Sequence, residues 1–223
     1  MTPRKKINPF VLILAGIDPT GNAGLFRDQE ICRQLEIPFI AIPTALALQN
    51  DKNYWQTLPV PIKIFQKMLD DINLKSLGAI KIGMLANQKT VADVVKFIHR
   101  VKKQNPKIKV VWDPVFASSS GGILLDKVGQ KLAIKNLWPL VDLVTPNTIE
   151  AQILSGKKIK QNGSKLAQDL YFKNRVAIYL KGGHTAQKAT DYFHDGAPQT
   201  LSGPVSKVKI RGTGCTFATT VAG

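Results

Sequence analysis

The turn Gly212-Thr213-Gly214-Cys215, which follows Arg211, combines residue types that suit the binding of an anion. Small and apolar residues continue from Phe217 to Ala222, which indicates a glycine turn that opens a helix. The first N–H groups of a helix have no partner inside it, and the helix dipole adds positive charge there. Glycine lets this backbone approach a ligand closely, so the turn suits a transferring phosphoryl group. A plain helix start is the alternative.

Cys215 lies at this helix start, where positive charge lowers the pKa of a thiol. We therefore expect a lowered pKa for Cys215 and some thiolate. Cys32 lies on an apolar helix face, so we expect it to be a packing residue. The two cysteines form no CxxC motif and the three histidines are scattered, so the sequence predicts neither a disulfide framework nor a zinc site.

The composition indicates one globular domain over residues 1–223, with 44% hydrophobic residues. The net charge of +16 suits an anionic partner. Its lysines are spread over many segments without an aromatic-interleaved basic run, so we expect phosphorylated ligands rather than nucleic acid. The apolar run from Val11 to Gly16 is short and ends at Asp18, which predicts a buried strand rather than a signal peptide. No segment is long enough to span a membrane, and we expect a cytoplasmic protein.

Strands and helices are predicted to alternate along the chain. The predicted strands are Phe10–Ala15, Pro38–Leu48, Ala79–Met84, Lys109–Trp112, Val141–Thr145 and Val176–Leu180. The predicted helices are Ala23–Leu35, Ile62–Leu74, Thr90–Lys103, Leu124–Leu137, a helix from Asn147 to Leu154, and Ser164–Phe172. Asp195-Gly196 predicts a hairpin between Thr190–His194 and Gln199–Leu201. Lys157–Asn162 is expected to be a polar linker and Ser118–Gly122 an exposed flap.

Alternating strands and helices favour a mostly parallel sheet between two helical layers. In such sheets, ligands bind outside the carboxyl ends of the strands. Polar or small residues follow the predicted strands there, and we expect one rim that combines the Gly212–Cys215 turn with Gly16, Gln49, Met84, Asp113, Asn147 and Lys181. The glycine-rich loop after Gly16 matches neither the dinucleotide fingerprint nor the P-loop, so it is expected to close over a small ligand without cradling phosphates.

Seven short motifs occur in order along the chain: Ala15-Gly16-Ile17-Asp18-Pro19, Thr44-Ala45-Leu46-Ala47-Leu48-Gln49-Asn50, Lys81-Ile82-Gly83-Met84-Leu85, Asp113-Pro114-Val115, Thr145-Pro146-Asn147 with Glu150, Lys181-Gly182-Gly183-His184 and Gly212-Thr213-Gly214-Cys215-Thr216. Together they resemble the hydroxymethylpyrimidine/phosphomethylpyrimidine kinases of thiamine biosynthesis. The resemblance covers the chain from about residue 10 to its end. It implies a three-layer α/β/α ribokinase-like fold with a mostly parallel central sheet.

The resemblance implies transfer of a phosphoryl group from ATP, with Mg²⁺, to 4-amino-5-hydroxymethyl-2-methylpyrimidine, to its monophosphate, or to both. It implies a pyrimidine pocket formed by Gly16, Asp28, Gln49, Met84 and Val115. The chemistry suits this substrate, because the Gln49 amide both donates and accepts hydrogen bonds and Met84 can pack on a ring. Without the resemblance, the same residues are interpreted as a surface carboxylate, a strand-end amide and a core methionine.

The resemblance also implies that Asp113 and Glu150 hold the magnesium ion, while Asn147, Lys181 and Thr213 contact the nucleotide. Magnesium keeps several waters, so one or two carboxylates suffice. A capping box is an alternative role for Asn147 with Glu150, and both roles can hold at once. An exposed strand-end lysine is the alternative for Lys181.

The implied catalytic residues are Cys215, Gly212, Thr213, Gly214 and Lys181. Many sugar kinases of this fold place an aspartate base after the glycine turn, where this chain has Cys215. We expect Cys215 to position the substrate hydroxyl and to assist modestly as a base, since a loose phosphoryl transfer asks little of a base. The backbone amides of the turn are expected to contribute more, and Lys181 to neutralise charge on the transferred group.

Three alternatives stay open. Pyridoxal or pyridoxine kinases share the fold and a similar cysteine turn, although Gln49 with Met84 favours the pyrimidine. A catalytically weak pyrimidine-binding protein is suggested by Arg27, where the family has a small residue, and by relatives that continue beyond Gly223 for roughly one or two helices. The third alternative, nucleic-acid binding, is suggested only by the net charge of +16. The resemblance also suggests a homodimer.

Overall fold

The structure is a computed structural model that describes residues 9–50, 52–118, 121–156, 162–182, 189–204 and 212–223. Several predicted features therefore lie partly outside the described residues. They are Ser119 and Ser120 of the expected flap, residues 157–161 of the expected linker, Gly183 and His184 of the glycine motif, and Arg211 before the turn.

The described residues form one nine-stranded sheet with the order β3-β2-β1-β4-β5-β6-β7-β8-β9. The strands are β1 Phe10–Ile17, β2 Phe39–Gln49, β3 Tyr54–Pro59, β4 Leu77–Ile82, β5 Lys109–Trp112, β6 Leu143–Val144, β7 Ala177–Leu180, β8 Ala189–His194 and β9 Pro198–Gly203. Strands β2, β1, β4, β5, β6 and β7 pair in parallel, while β3, β8 and β9 pair antiparallel to their neighbours. The mostly parallel sheet and the hairpin around Asp195-Gly196 are confirmed.

The α-helices are α1 Gly24–Gln34, α2 Ile62–Asp70, α3 Gln88–Gln104, α4 Lys127–Leu132, α5 Thr148–Ser155, α6 Gly163–Asn174 and α7 Thr213–Ala222. Helix α4 continues as a wider π-type segment over Ala133–Leu137 and a 3-10 turn over Trp138–Leu140. A further 3-10 turn, Leu74–Ser76, leads into β4. Among the described helices, none is both long enough and apolar enough to cross a membrane.

Alternating side chains of the strands enter different cores, as the period of two in a strand requires. On β1, Leu12 and Leu14 join the larger core, which contains the buried side chains of α2, α3, α5 and α6. Val11, Ile13 and Ala15 face the opposite side and join the buried side chains of α1 and α7. Two helical layers thus enclose the sheet, and the predicted α/β/α fold is confirmed.

Strand β3 was not predicted from the sequence. Its segment Tyr54–Pro59 ends in proline, is largely exposed and lies at the edge of the sheet. An edge strand exposes much of both faces, so its sequence lacks the apolar run that marks a central strand. The contact that holds it is distant in sequence: the Tyr54 hydroxyl donates to the Ile123 carbonyl at 2.7 Å.

Candidate active site

A partly open cavity lies at the carboxyl ends of the central strands. Ligands of open, mostly parallel sheets bind at this place. Four of the five predicted pyrimidine-pocket residues line it: Gly16, Gln49, Met84 and Val115. The glycine-rich loop after β1 contributes Asp18, Ala23 and Gly24, and Cys215 contributes from α7.

Gly16 contributes to the shape of this cavity. A Cβ at this position would overlap the Met84 sulfur, so a larger residue would displace the thioether from β1. Met84 is fixed by its own backbone as well, since the Thr44 hydroxyl donates to the Met84 carbonyl at 2.5 Å. The result is an apolar wall with a polarizable sulfur, which suits the face of an aromatic ring.

Gln49 brings polarity to the same cavity. It is the last residue of β2 and is 8% exposed. Its carbonyl oxygen Oε1 is buried, and no hydrogen-bond partner for it occurs among the described residues. A buried acceptor without a partner costs free energy, so Gln49 is suited to a ligand that donates a hydrogen bond.

The fifth predicted pocket residue, Asp28, lies behind the cavity wall rather than on it. Its Oδ2 accepts a hydrogen bond from the Lys81 amine at 2.6 Å, and neither side chain is exposed. Its Oδ1 accepts from the Thr219 hydroxyl at 2.7 Å. Lys81 itself lines the cavity. Burial alone would lower the pKa of Lys81, but Asp28, Cys215 and Asp113 together raise it, so the amine is protonated.

Asp113 and Lys181 form a second pair, at the ends of β5 and β7. The Lys181 amine donates to Asp113 Oδ1 at 2.8 Å, and the Thr145 hydroxyl donates to the same oxygen at 3.2 Å. Burial lowers the pKa of Lys181, whereas Asp113 and Glu150 raise it by more, so the net shift of this pKa is upward. This pair combines the predicted metal carboxylate with the predicted catalytic lysine.

Asn147 and Glu150 form the capping box that the sequence offered as an alternative. The Asn147 side chain accepts from the Glu150 backbone N–H at 2.9 Å, and Glu150 Oε2 accepts from the Asn147 backbone N–H at 2.8 Å. Asn147 is exposed and Glu150 is buried. Burial and the charge of Asp113 raise the pKa of Glu150 to about 8, against the opposite effects of Lys181 and the Asn147 backbone. The cap holds Glu150 near Asp113.

The predicted glycine turn does open helix α7. Gly212 is the N-cap with φ of 77°, and a Cβ there would overlap the Asn22 carbonyl of the loop after β1. A Cβ on Gly214 would lie 2.8 Å from the Lys181 amine. These two glycines let the helix start approach both the loop and the lysine. Thr213, the first helical residue, is exposed.

The expected lowering of the Cys215 pKa is wrong. Burial raises the pKa of this thiol most, Asp28 and Asp113 add to the rise, and the net value is about 11. Lys81 and a hydrogen bond from the Gly24 backbone lower it, but not enough. The prediction considered only the helix dipole, whose effect is smaller than that of removing a thiolate from water near two carboxylates. Cys215 is therefore a thiol at neutral pH.

The residues of the predicted rim, together with Val115 and Glu150 from the resemblance, thus form two adjoining groups. Gly16, Gln49, Met84 and Val115 surround the cavity, whereas Asp113, Glu150, Asn147 and Lys181 gather at the next strand ends. Gly214 and Cys215 lie between them. Lys81 and Thr219 were missed, although a lysine inside the apolar run Ala79–Met84 is a sign of a buried, paired charge.

Comparisons with known proteins agree with this geometry. The chain matches the family model described as phosphomethylpyrimidine kinase over residues 18–223. A hydroxymethylpyrimidine/phosphomethylpyrimidine kinase of Aquifex aeolicus is 34% identical over 219 residues, which cover 94% of this chain and 83% of the relative. The kinase of the same name from Rhizobium meliloti is 31% identical over 222 residues, covering 95% and 80%.

Solved structures of a phosphomethylpyrimidine kinase and of a pyridoxal kinase both superpose on the chain. A phosphomethylpyrimidine kinase from Clostridium difficile 630 superposes with a TM-score of 0.77 at 27% identity, covering 96% of this chain and 89% of the other. The pyridoxal kinase of Staphylococcus aureus in complex with pyridoxal superposes with a TM-score of 0.84 at 26% identity, covering 96% and 79%.

Proposed function

This chain belongs to the phosphomethylpyrimidine kinase family, and we propose that it phosphorylates 4-amino-5-hydroxymethyl-2-methylpyrimidine, its monophosphate, or both, with ATP as the donor. The main support for this proposal is Gln49. Its buried acceptor Oε1 has no partner among the described residues, and Gln49 lines the same cavity as Cys215. The exocyclic amine of an aminopyrimidine would donate to Gln49 Oε1, and Met84 would pack on the ring.

The reacting groups would meet at the start of α7. With the alcohol as acceptor, its hydroxyl oxygen would attack the γ-phosphorus of ATP, the bond to the ADP oxygen would break, and the hydroxyl proton would pass to water as the ester forms. With the monophosphate as acceptor, a phosphate oxygen would attack in the same way and form an anhydride. The Gly212–Cys215 backbone N–H groups offer positive charge to the transferred group. Lys181, within reach of Gly214, offers a second positive charge.

Cys215 would position the substrate hydroxyl rather than remove its proton early. Its pKa of about 11 keeps it a thiol at neutral pH. A loose phosphoryl transfer needs little help from a base, so a thiol that orients the hydroxyl is sufficient. We therefore assign Cys215 mainly to positioning.

The residues present also fit magnesium. Among the described residues, no group of three or more His, Cys, Asp or Glu side chains is arranged to hold a metal ion. Magnesium does not need such a group, because it retains several waters and takes one or two carboxylates. The charge of Asp113 raises the pKa of Glu150, so the two carboxyl groups lie near each other, and we propose that they hold the ion. When bound, it would neutralise negative charge on the phosphates.

We further propose that the protein is a cytoplasmic homodimer. The free cysteines Cys32 and Cys215 are compatible with a reducing compartment. Leu46, Leu48 and Leu58 lie on one face of the β2–β3 pair, since Leu46 pairs with Leu58, and all are substantially exposed. Such an apolar sheet face suits a second copy of the chain. Light scattering of wild type and Leu46→Asp should give a dimer and a monomer, respectively.

The kinase proposal is tested by ADP release from purified protein with Mg-ATP and each acceptor: the hydroxymethylpyrimidine, its monophosphate, and pyridoxal. Turnover with a pyrimidine acceptor is expected. Gln49→Leu should raise KM for that acceptor about tenfold, the loss of roughly one hydrogen bond. The exposed surface substitution Gln34→Leu is the matched control and should leave KM unchanged.

Pyridoxal kinase is the second candidate, favoured by the TM-score of 0.84 to the pyridoxal complex. It would replace the first if pyridoxal were the better acceptor by kcat/KM. Binding of the pyrimidine without ADP release would instead indicate a catalytically weak binding protein.

A further inference from the structure

Lys81 is a fully buried lysine at the centre of the sheet. In register, it lies beside Ile13 of β1 and Val111 of β5, both members of the apolar core beneath α1 and α7. An unpaired charge in such surroundings costs several kcal/mol or more, so the residue demands a specific reason.

Asp28 supplies the opposite charge and joins three elements. It lies on α1, accepts from Lys81 on β4 at 2.6 Å, and accepts from Thr219 on α7 at 2.7 Å. Thr219 lies one helical turn after Cys215. The carboxylate therefore connects the cavity wall to the helix that begins at the glycine turn.

The Lys81 amine points along its strand toward the cavity. A Cβ on Gly83, two residues closer to the carboxyl end, would lie 3.1 Å from the Lys81 amine, so glycine leaves space for it. Lys81 and Cys215 both line the cavity. Positive charge at this place is thus presented to the same space as the thiol.

Stability alone does not account for the pair. Replacing a buried ion pair with apolar residues of similar volume is often neutral or stabilising, whereas removing one partner is costly. We propose that Asp28 and Lys81 are positioning residues for phosphoryl transfer: Asp28 fixes Lys81 under the cavity and, through Thr219, fixes the helix that presents Cys215 and the glycine turn. This inference rests on the proposed kinase function.

The decisive variant removes both charges, Lys81→Met with Asp28→Leu. It should unfold at a urea concentration close to that of wild type and bind the pyrimidine with similar Kd, while kcat falls about 10- to 100-fold, as expected for a small misplacement of reacting groups. If the double variant had both the stability and the kcat of wild type, the proposal would be overturned, because the pair would then be structural only.

A milder pair of variants covers the case in which the double variant fails to fold. Thr219→Val removes the link between Asp28 and α7 and preserves the shape of the side chain, whereas Thr219→Ser keeps the hydroxyl. Thr219→Val should lower kcat several-fold with little change in KM, on the order of a single hydrogen bond, and Thr219→Ser should retain wild-type kcat. Equal kcat values for both variants would overturn the proposal.

A test that does not depend on turnover is the rate at which iodoacetamide alkylates Cys215. It is measured in a Cys32→Ala background, so that Cys215 is the cysteine followed. The charged groups that act on Cys215 are Lys81 from β4, Asp28 from α1 and Asp113 after β5, and Lys81 has the largest effect of the three. Because the pair fixes the position of Cys215 through Thr219 and places charge beside it, the double variant should react at a rate different from that of its background, and an unchanged rate would contradict the proposal. If the wild type phosphorylates no acceptor, the kinase function fails and this inference fails with it; if the wild type turns over and the variants keep its kcat, only the inference fails.

Discussion

Two lysine–aspartate pairs occupy the carboxyl edge of the same sheet, and they differ in access to solvent. Lys81 and Asp28 are both 0% exposed, and both carboxylate oxygens of Asp28 accept hydrogen bonds from inside the protein. Lys181 is 21% exposed, and its bond and that of Thr145 both go to Asp113 Oδ1. Asp113 Oδ2 instead faces Gly214 of the helix turn.

This difference separates two uses of the same ion pair. The sealed pair has all its described bonds within the protein, so it is suited to holding elements in place. The open pair presents an amine and a carboxylate oxygen to the glycine turn, so it is suited to contact with a ligand. Substitution of Lys81 should therefore cost more stability than substitution of Lys181, and substitution of Lys181 should cost more turnover.

Lys81→Met should give the largest loss of stability. It leaves Asp28 buried without its charge partner, and breaking a buried pair in this way costs about 3–5 kcal/mol. Urea unfolding should show a large decrease in the midpoint, while Lys96→Met, whose amine is largely exposed, should show none. A midpoint for Lys81→Met within error of wild type would refute the distinction between a sealed and an open pair.

Lys181→Met should reverse the pattern. The free energy of unfolding should change much less than in Lys81→Met, because the amine is partly exposed and Thr145 still donates to Asp113. Turnover should fall about 10²- to 10³-fold, the usual loss when a positioned charge no longer stabilises a transition state. Lys181→Arg, which keeps the charge but alters its geometry, should lie between. Steady-state ADP release measures the kcat of both variants. An unchanged kcat in Lys181→Met would mean that the open pair has a structural role and no role in turnover.

Cys215 lies between the two pairs and should contribute less than Lys181. Cys215→Ala should lower kcat by less than about 100-fold, the lower limit typical of acid–base catalysis, because the thiol mainly positions the hydroxyl. In the wild type, the rate of Cys215 alkylation should still be rising above neutral pH and level off only near its pKa of about 11. A rate that is already maximal at neutral pH would indicate a thiolate and contradict this assignment.

The sequence predicts the fold and most of the rim because both follow from local patterns. Buried strands appear as apolar runs, and Gly212 and the Asn147–Glu150 capping box are recognised from neighbouring residues. The parallel strands then bring their carboxyl ends to one edge without further information.

The sealed pair follows from no local pattern. Asp28 and Lys81 are 53 positions apart, and Asp28 and Thr219 are 191 apart. The Cys215 pKa was predicted in the wrong direction for the same reason, since its burial and its approach to Asp28 and Asp113 arise only in the folded chain. Long-range burial, not propensity, decides these features.

Glu150, which lies near the open pair, should be a source of pH-dependent stability. Its pKa rises from 4.5 to about 8 on folding. Below about pH 4.5, Glu150 is protonated in both the folded and the unfolded state. Between that pH and about 8, the unfolded state loses the proton while the folded state keeps it, so the free energy of unfolding falls as pH rises. Above about pH 8, the decrease in stability is complete. Glu150→Gln keeps the cap and removes the proton, so it should stabilise the protein relative to wild type at the upper end of this range more than at the lower end. Urea unfolding near pH 4.5 and near pH 8 measures the difference, with substitution of the exposed Glu30, Glu30→Gln, as the control. An equal effect of Glu150→Gln at the two pH values would show that Asp113 and burial do not hold a proton on Glu150.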